Sequence, residues 1–193
     1  EALVRPYIER GPIVYHKQAN AGFGAARNKA LELARGEWIA VIDHDDVCMP
    51  RRLERQLDAA LRHPEAALIF SDSEHFRDDG TILRRQFQAF DPSGFDLGPV
   101  KAAELLLIED CFIDSETAFF RKADAVAVGG FSIRYRYVND YEFFLKMGMR
   151  SAFAVVREVL SRWRVHPGQL SHTAQYTMVR EHVALLRQWR QDS

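Results

Sequence analysis

Short apolar runs alternate with helical patterns between residues 13 and 70, and this alternation constrains the fold more than any other feature. Strand-like runs occupy residues 13–15, 38–42 and 67–70, and the segments between them carry apolar residues at helical spacing. A β-α-β-α-β order is typical of α/β proteins, in which helices cover both faces of a sheet. The sequence therefore predicts a three-layer α/β/α fold around a mostly parallel central sheet.

The rest of the chain continues the same pattern without a linker, an internal repeat or a low-complexity segment. We therefore expect one domain over residues 1–193. Further helices are predicted over 101–108, 122–128, 140–149 and about 173–189, strands over 118–120 and 153–156, and a strand or extended segment over 81–90. In the last helix, one apolar stripe contains Tyr176, Val179, Val183 and Leu186.

Composition excludes several classes of partner and site. The 193 residues carry 26 Lys and Arg against 27 Asp and Glu, without the basic patch that nucleic acid requires. The longest apolar runs fall far short of the ~20 residues that span a bilayer. Cys48 and Cys111 lack a CxxC or a partnered His spacing, so neither a disulfide framework nor a zinc site is expected. A cytoplasmic location is the resulting expectation.

Three carboxylates, Asp43, Asp45 and Asp46, directly follow the strand-like run 38–42. Ligands of open α/β sheets bind just beyond the carboxyl ends of strands. Oxygen ligands two residues apart suit Mg²⁺ or Mn²⁺, which bind through one or two carboxylates together with substrate phosphates. In the alternative interpretation, Asp46 caps the next helix and the other two carboxylates are merely solvated.

A glycine-bearing loop, residues 20–28, precedes that strand and runs into a helix. Helix starts of this kind present N–H groups to anions, and Arg27 adds donors for a phosphate or a base edge. The loop lacks the third glycine of a dinucleotide-binding fingerprint and the Gly-Lys-Ser/Thr ending of a phosphate-binding loop. A tight turn with an exposed arginine is the alternative.

Four segments, in one order, resemble the family 2 glycosyltransferases, which have the GT-A fold. The first is the core, from Asn20-Ala-Gly-Phe-Gly-Ala-Ala-Arg-Asn28 through Ala34-Arg-Gly-Glu-Trp-Ile-Ala-Val-Ile-Asp-His-Asp-Asp46 to Pro50 and Leu53. The later three are Val128-Gly-Gly-Phe131, Asn139-Asp-Tyr-Glu-Phe-Phe-Leu-Lys146 and Trp163-Arg-Val-His-Pro-Gly-Gln-Leu-Ser171. The resemblance extends over residues 13–171 and implies a Rossmann-like GT-A domain.

The resemblance implies inverting transfer of a sugar from a nucleotide-diphosphate sugar to the hydroxyl of a saccharide or other acceptor. Asp45 matches the family's metal-binding carboxylate, for Mn²⁺ or Mg²⁺, and Asp43 matches the one that touches the ribose and the metal shell. Asp140 matches the catalytic base, which takes the proton of the acceptor hydroxyl. A carboxylate in the first turn of a helix is also favoured by the helix dipole, so Asp140 can serve as a cap as well.

Other matched positions are implied to bind substrate. Arg164, His166 and Ser171 match a loop that closes on the diphosphate, where cationic and hydroxyl donors suit phosphate oxygens. Asn20 and Arg27 belong to the matched glycine loop. The acceptor side is expected near residues 71–74 and 111–114.

The chain departs from the family pattern in two ways. Members usually begin with a strand ending in Pro-x-aromatic-Asn and a second strand leading to Asp-Asp-Gly-Ser, and neither precedes Glu1. We therefore expect a domain truncated at its N-terminus that lacks its first β-strands. Asn139 stands where the family usually has Glu, which removes a like charge that would raise the pKa of the base.

Two other functions stay open at this point. The run Ala40–Val47 also fits the nucleophile motif of haloacid-dehalogenase-type phosphatases, with Asp43 phosphorylated and Asp45 as acid/base. A catalytically silent sugar-nucleotide-binding module is the third interpretation. By analogy with family members that build cell-surface polysaccharides, peripheral association with the inner face of the membrane is expected.

Overall fold

The computed structural model describes residues 3–169 and 173–192. Its helices are α1 (Arg5–Arg10), α2 (Phe23–Leu33), α3 (Arg52–Arg62), α4 (Gln86–Ala89), α5 (Lys101–Glu109), α6 (Lys122–Ala127), α7 (Asn139–Arg150) and α8 (Gln175–Asp192), with short 3-10 helices at Pro92–Gly94 and Ser115–Thr117. Its strands are β1 (Trp38–Ala40), β2 (Val47–Cys48), β3 (Ala66–Phe76), β4 (Ile82–Arg85), β5 (Phe119–Arg121) and β6 (Ala152–Arg164). None of the helices in these two ranges is long and apolar enough to cross a bilayer.

One mixed sheet forms the centre of the domain. Its strand order is β1-β5-β3-β6-β2. β4 pairs with the last residues of β3, beyond the residues that pair with β5. Only β3 and β6 pair in parallel, from Ala66 opposite Ala152 to Phe76 opposite Arg164, and the other pairs are antiparallel. The α/β class is confirmed, but the sheet is mixed rather than mostly parallel, because β5 lies antiparallel between β1 and β3.

The first strands are shorter and more exposed than the sequence predicts. β1 is the edge of the sheet in the described chain and pairs with β5 alone, and Ile42 beyond it is 46% exposed. The run 38–42 is therefore not buried on both faces. Residues 13–15 were predicted as a strand, but they form none, and Val14 is 59% exposed.

The core lies between the sheet and α7. Every residue of β3 is buried, and Phe143 of α7 places its ring 4.9 Å from Phe120 on β5 and 4.2 Å from Phe131. Aromatic rings at these separations add to the burial of apolar area. This packing fixes the start of α7, where Asp140 lies.

A buried arginine is hydrogen-bonded to the backbone just after β1. Arg52, at the start of α3, is 1% exposed and donates to the carbonyls of Val41 at 2.8 Å and Ala118 at 3.1 Å. It also donates to Gln56 Oε1 at 3.0 Å, and Gln56 Nε2 donates to the carbonyl of Thr117 at 2.6 Å. Burial lowers the pKa of Arg52 from its ordinary value. The loop that carries the three carboxylates therefore starts from a fixed point.

We expect Arg52→Ala to lower the free energy of unfolding by about 3 kcal/mol or more, because three hydrogen bonds of a buried guanidinium are lost. The matched control is Arg51→Ala. Arg51 is exposed and pairs with Glu54 at 2.7 Å, so its loss should cost at most about 1 kcal/mol. Urea unfolding of the two variants measures both values. Equal losses would contradict the role given to Arg52.

Candidate functional site

The predicted carboxylates lie beyond the carboxyl end of β1. Val41 donates its N–H to the carbonyl of Ala118 at 3.1 Å, and the N–H of Asp46 bonds the carbonyl of Asp43 at 3.3 Å, which closes a turn. The alternative interpretation supposed that Asp46 caps α3, but Asp46 does not do so. It accepts the N–H of Arg164 at 2.9 Å instead. The turn therefore presents its side chains at the edge of the sheet.

Arg27 lies at the centre of the site and is 15% exposed. Its Nη2 is 3.3 Å from Asp43 Oδ2 and donates to Ser115 Oγ at 3.1 Å. Its Nη1 is 3.5 Å from Asp140 Oδ2 and donates to Asn139 Oδ1 at 3.2 Å. One guanidinium thus joins the carboxylate at the end of β1 to the carboxylate at the start of α7.

Close packing of α2 against the turn at residues 129–132 positions this guanidinium. A Cβ on Gly24 would lie 1.9 Å from the carbonyl oxygen of Ser132, so only glycine permits the approach. Asn28 accepts the N–H of Phe131 and donates to its carbonyl, both at 2.8 Å. The Arg27 guanidinium lies over the Phe131 ring, 5.4 Å from its centroid. The glycine-loop and Gly-Gly-Phe motifs therefore contact each other.

Asp140 is fixed by several donors. Its Oδ2 accepts from Ser115 Oγ at 3.1 Å and its Oδ1 from the N–H of Tyr141 at 2.8 Å, and its side chain is 28% exposed. Asn139 beside it is buried, accepts from Arg27 and donates to the carbonyl of Arg136 at 3.0 Å. An ionised Glu at position 139 has no proton to donate to that carbonyl. The departure from the family pattern thus suits its local contacts.

Asp45 lies beside His166 rather than beside Arg27. The Asp45 Oδ2 and His166 Nε2 atoms are 3.2 Å apart, and each side chain is about 30% exposed. His44 Nδ1 lies 3.7 Å from the other carboxylate oxygen, with its ring almost fully exposed. A carboxylate and an imidazole are ligands that Mn²⁺ accepts, with substrate phosphates and water in the remaining positions. Within the described ranges, no group of three or more such side chains converges on one point.

Arg164 reaches the same turn from the end of β6. Its Nε donates to the carbonyl of Asp45 and its Nη1 to Asp78 Oδ1, both at 2.7 Å. The guanidinium also lies 4.7 Å from the centroid of the Phe76 ring. Ser171, the third residue predicted in this loop, lies outside the described residues. The structure therefore brings Arg164 and His166 to Asp45.

Asn20 takes part in a turn rather than in this cluster. Its Oδ1 accepts the N–H of Gly22 at 3.1 Å, and Gly22 has a φ of 87°, which favours glycine. A cavity of about 360 Å³ opens between this turn and the loop at 132–136. Substrate binding by Asn20 stays a prediction.

A second carboxylate cluster lies deeper, and the sequence located only part of it. Asp114 Oδ2 accepts from Ser73 Oγ and lies 2.9 Å from His75 Nε2. Burial, then the charges of Asp114 and Asp46, raises the pKa of Glu116 well above its ordinary value, and Glu116 Oε1 has no hydrogen-bond partner. Burial also raises the pKa of Asp46 to about 7. Short-range sequence patterns gave no sign of Ser115, since its partners Arg27 and Asp140 are distant in the chain, or of Glu116, since tertiary packing decides its burial.

Comparison with known proteins gives related sequences over most of the chain. Residues 1–140 match the family described as glycosyl transferase family 2. An uncharacterized glycosyltransferase of Methanocaldococcus jannaschii is 26% identical over 172 residues, covering 86% of this chain and 55% of the relative. The amylovoran biosynthesis glycosyltransferase AmsE of Erwinia amylovora is 23% identical over 176 residues, covering 91% of this chain and 62% of the relative. The chain thus spans little more than half the length of these relatives.

Solved structures show the same fold. The crystal structure of Staphylococcus aureus TarS 1-349 in complex with UDP has a TM-score of 0.64 and 19% identity, covering 86% of this chain and 47% of TarS. The complex of TarS with UDP-GlcNAc has a TM-score of 0.66 and 16% identity, covering 87% of this chain and 46% of TarS. Because the family match includes well over half of its residues and the fold agrees, this chain belongs to glycosyl transferase family 2.

Proposed function

We propose that the protein transfers a sugar from a nucleotide-diphosphate sugar to an acceptor hydroxyl, with inversion at the anomeric carbon. One observation carries the proposal: Arg27 brings Asp43, from the predicted donor side, to Asp140, the predicted base. Family membership supports the transfer of a sugar. The UDP and UDP-GlcNAc complexes of TarS support a nucleotide-sugar donor, and the name of AmsE supports a role in polysaccharide synthesis.

Asp45 and His166 are the residues proposed to hold Mn²⁺ or Mg²⁺ together with the donor diphosphate. The bound ion would neutralise the charge that develops on the leaving diphosphate. Asp43, whose Oδ2 is held by Arg27, is proposed to contact the ribose and the metal shell. To contact a phosphate, the Arg164 guanidinium has to exchange its ion pair with Asp78 for the phosphate oxygens.

Asp140 is proposed to accept the proton of the acceptor hydroxyl as that oxygen attacks the anomeric carbon. The bond between the anomeric carbon and the diphosphate oxygen breaks on the opposite side, so a single displacement inverts the centre. Arg27, Ser115 and the N–H of Tyr141 hold the carboxylate in one orientation. Such fixed geometry is what a general base requires.

The other interpretations of the sequence are weaker. Family membership favours a transferase over a phosphatase that uses Asp43 and Asp45. Action at the inner face of the membrane is part of the proposal, by analogy with polysaccharide synthesis.

We expect Asp45→Ala to abolish Mn²⁺-dependent binding of UDP to the full-length protein, because the carboxylate is a proposed ligand of the ion. The midpoint of thermal unfolding should change little, since Asp45 lies at the surface of a loop. Glu104→Ala, which removes an exposed carboxylate on α5, is the matched control. Calorimetric titration with UDP, with and without Mn²⁺, makes the comparison. Unchanged Mn²⁺-linked binding in Asp45→Ala would exclude the assignment.

We expect Asp140→Asn to slow sugar transfer by about 10²–10⁴-fold, the usual contribution of a general base. Donor binding should be retained, because the proposed donor contacts lie at Asp43 and Asp45. Thermal stability should fall only slightly, because the amide oxygen still accepts the N–H of Tyr141, while the amide NH2 replaces the oxygen that Ser115 and Arg27 contact. Glu142→Gln removes a charge from the same helical turn and should transfer at nearly the parental rate. Release of UDP from a UDP-sugar measures the rates.

Two results would contradict this proposal. Transfer by Asp140→Asn at the parental rate would leave Asp140 as a structural residue only. Binding of a nucleotide sugar without turnover by the full-length parent, across a panel of saccharide acceptors, would favour the silent module.

A further inference from the structure

The last helix, α8, has one side held firmly against the domain. Leu185 is fully buried, and the His182 ring lies 5.0 Å from the Tyr141 ring. Glu181 accepts the backbone N–H groups of Arg136 at 3.1 Å and Tyr137 at 2.7 Å. These contacts lie beside Asp140 and fix the rotation of α8 about its own axis.

The sequence predicts an apolar stripe on this helix, but most of it faces away from the domain. Tyr176 is 77% exposed, Val179 62% and Val183 41%. The side that packs inward instead carries Met178, Glu181, His182, Leu185 and Trp189. Exposed apolar side chains aligned on one helix face are a feature of interaction surfaces.

Arginines share the outward face with these apolar residues. Arg180, Arg187 and Arg190 are all exposed. At 3.6 residues per turn, these three and Tyr176, Val179 and Val183 fall within an arc of about 100°. We call these six residues the outer face of α8. Among the side chains described on the helix, the one acid, Glu181, is turned inward, so the outer face carries three positive charges and no negative one.

We propose that the outer face of α8 lies on an anionic lipid surface. Tyr and Val side chains can insert at the headgroup boundary while arginine side chains extend to the lipid phosphates. The net charge of the chain is -1, so the attraction is local to this helix rather than a property of the whole molecule.

Size favours a lipid surface over a protein partner. The outer face is one straight line about 21 Å long from Tyr176 to Arg190. A standard protein–protein interface takes about 20–30 residues from each side, and six residues on one helix are far fewer. A helix lying on a membrane needs no matching groove. The inference deepens the proposed function, which includes action at a membrane, because it names the surface of the chain that binds the lipid. Its test does not depend on sugar transfer.

The test is binding of the full-length protein to vesicles, measured by flotation. We expect binding to phosphatidylcholine vesicles that contain phosphatidylglycerol, weak binding to pure phosphatidylcholine, and loss of binding at high salt, which screens the arginines. Changing Arg180, Arg187 and Arg190 to Glu should weaken the binding at least about tenfold. Tyr176→Ser with Val183→Ser should weaken it as well while the charge is unchanged.

The matched control changes three other exposed arginines, Arg62, Arg84 and Arg150, to Glu. It alters the net charge equally and should leave most of the binding intact. Equal loss in the control would show a non-specific charge effect and overturn the proposal. Absence of binding to anionic vesicles by the parent would overturn it too and would point to an acidic protein as the occupant of the outer face.

Discussion

The candidate site depends on a single guanidinium. Asp43 and Asp140 are 97 residues apart in the chain, and two carboxylates held this close to one point repel each other. Arg27 lies 3.3 Å from the first and 3.5 Å from the second, and it is 15% exposed, so solvent screens these contacts only in part. Charge-assisted hydrogen bonds of this kind set orientation as well as distance. The arginine that the sequence indicated as a ligand for phosphate is thus engaged mainly with the protein.

The position of the Arg27 guanidinium is fixed by the residues that pack around it. Gly24 allows α2 to approach the turn after Phe131, and the Phe131 ring supports the guanidinium and also packs on Phe143 of α7. Beneath the same loop, Arg52 fixes the carbonyl of Val41. Substitutions at these supports should therefore alter the site without removing any group that reacts.

Much of the fold, and the position of the candidate site in it, could be predicted, because both depend on local patterns. Alternating strand and helix signals gave the α/β class, and a strand followed by Asp43 and Asp45 gave the edge of the sheet where the site lies. The antiparallel position of β5 between β1 and β3 could not be predicted, because the sequence of a short apolar strand indicates neither its direction nor its neighbours. The partners of Arg27 and the outward turn of Tyr176 were missed for a related reason. Periodicity identifies the faces of a helix, whereas tertiary packing decides which face is covered.

A double-mutant cycle on the rate of UDP release at saturating donor tests whether Arg27 acts by holding Asp140. The variants are Arg27→Ala, Asp140→Asn and the two together, in the full-length protein. If Arg27 works through Asp140, the double variant should be no slower than Asp140→Asn alone, because the second loss removes support for a group already disabled. Losses that multiply in the double variant would show that the two residues act independently and that Arg27 does not work through Asp140.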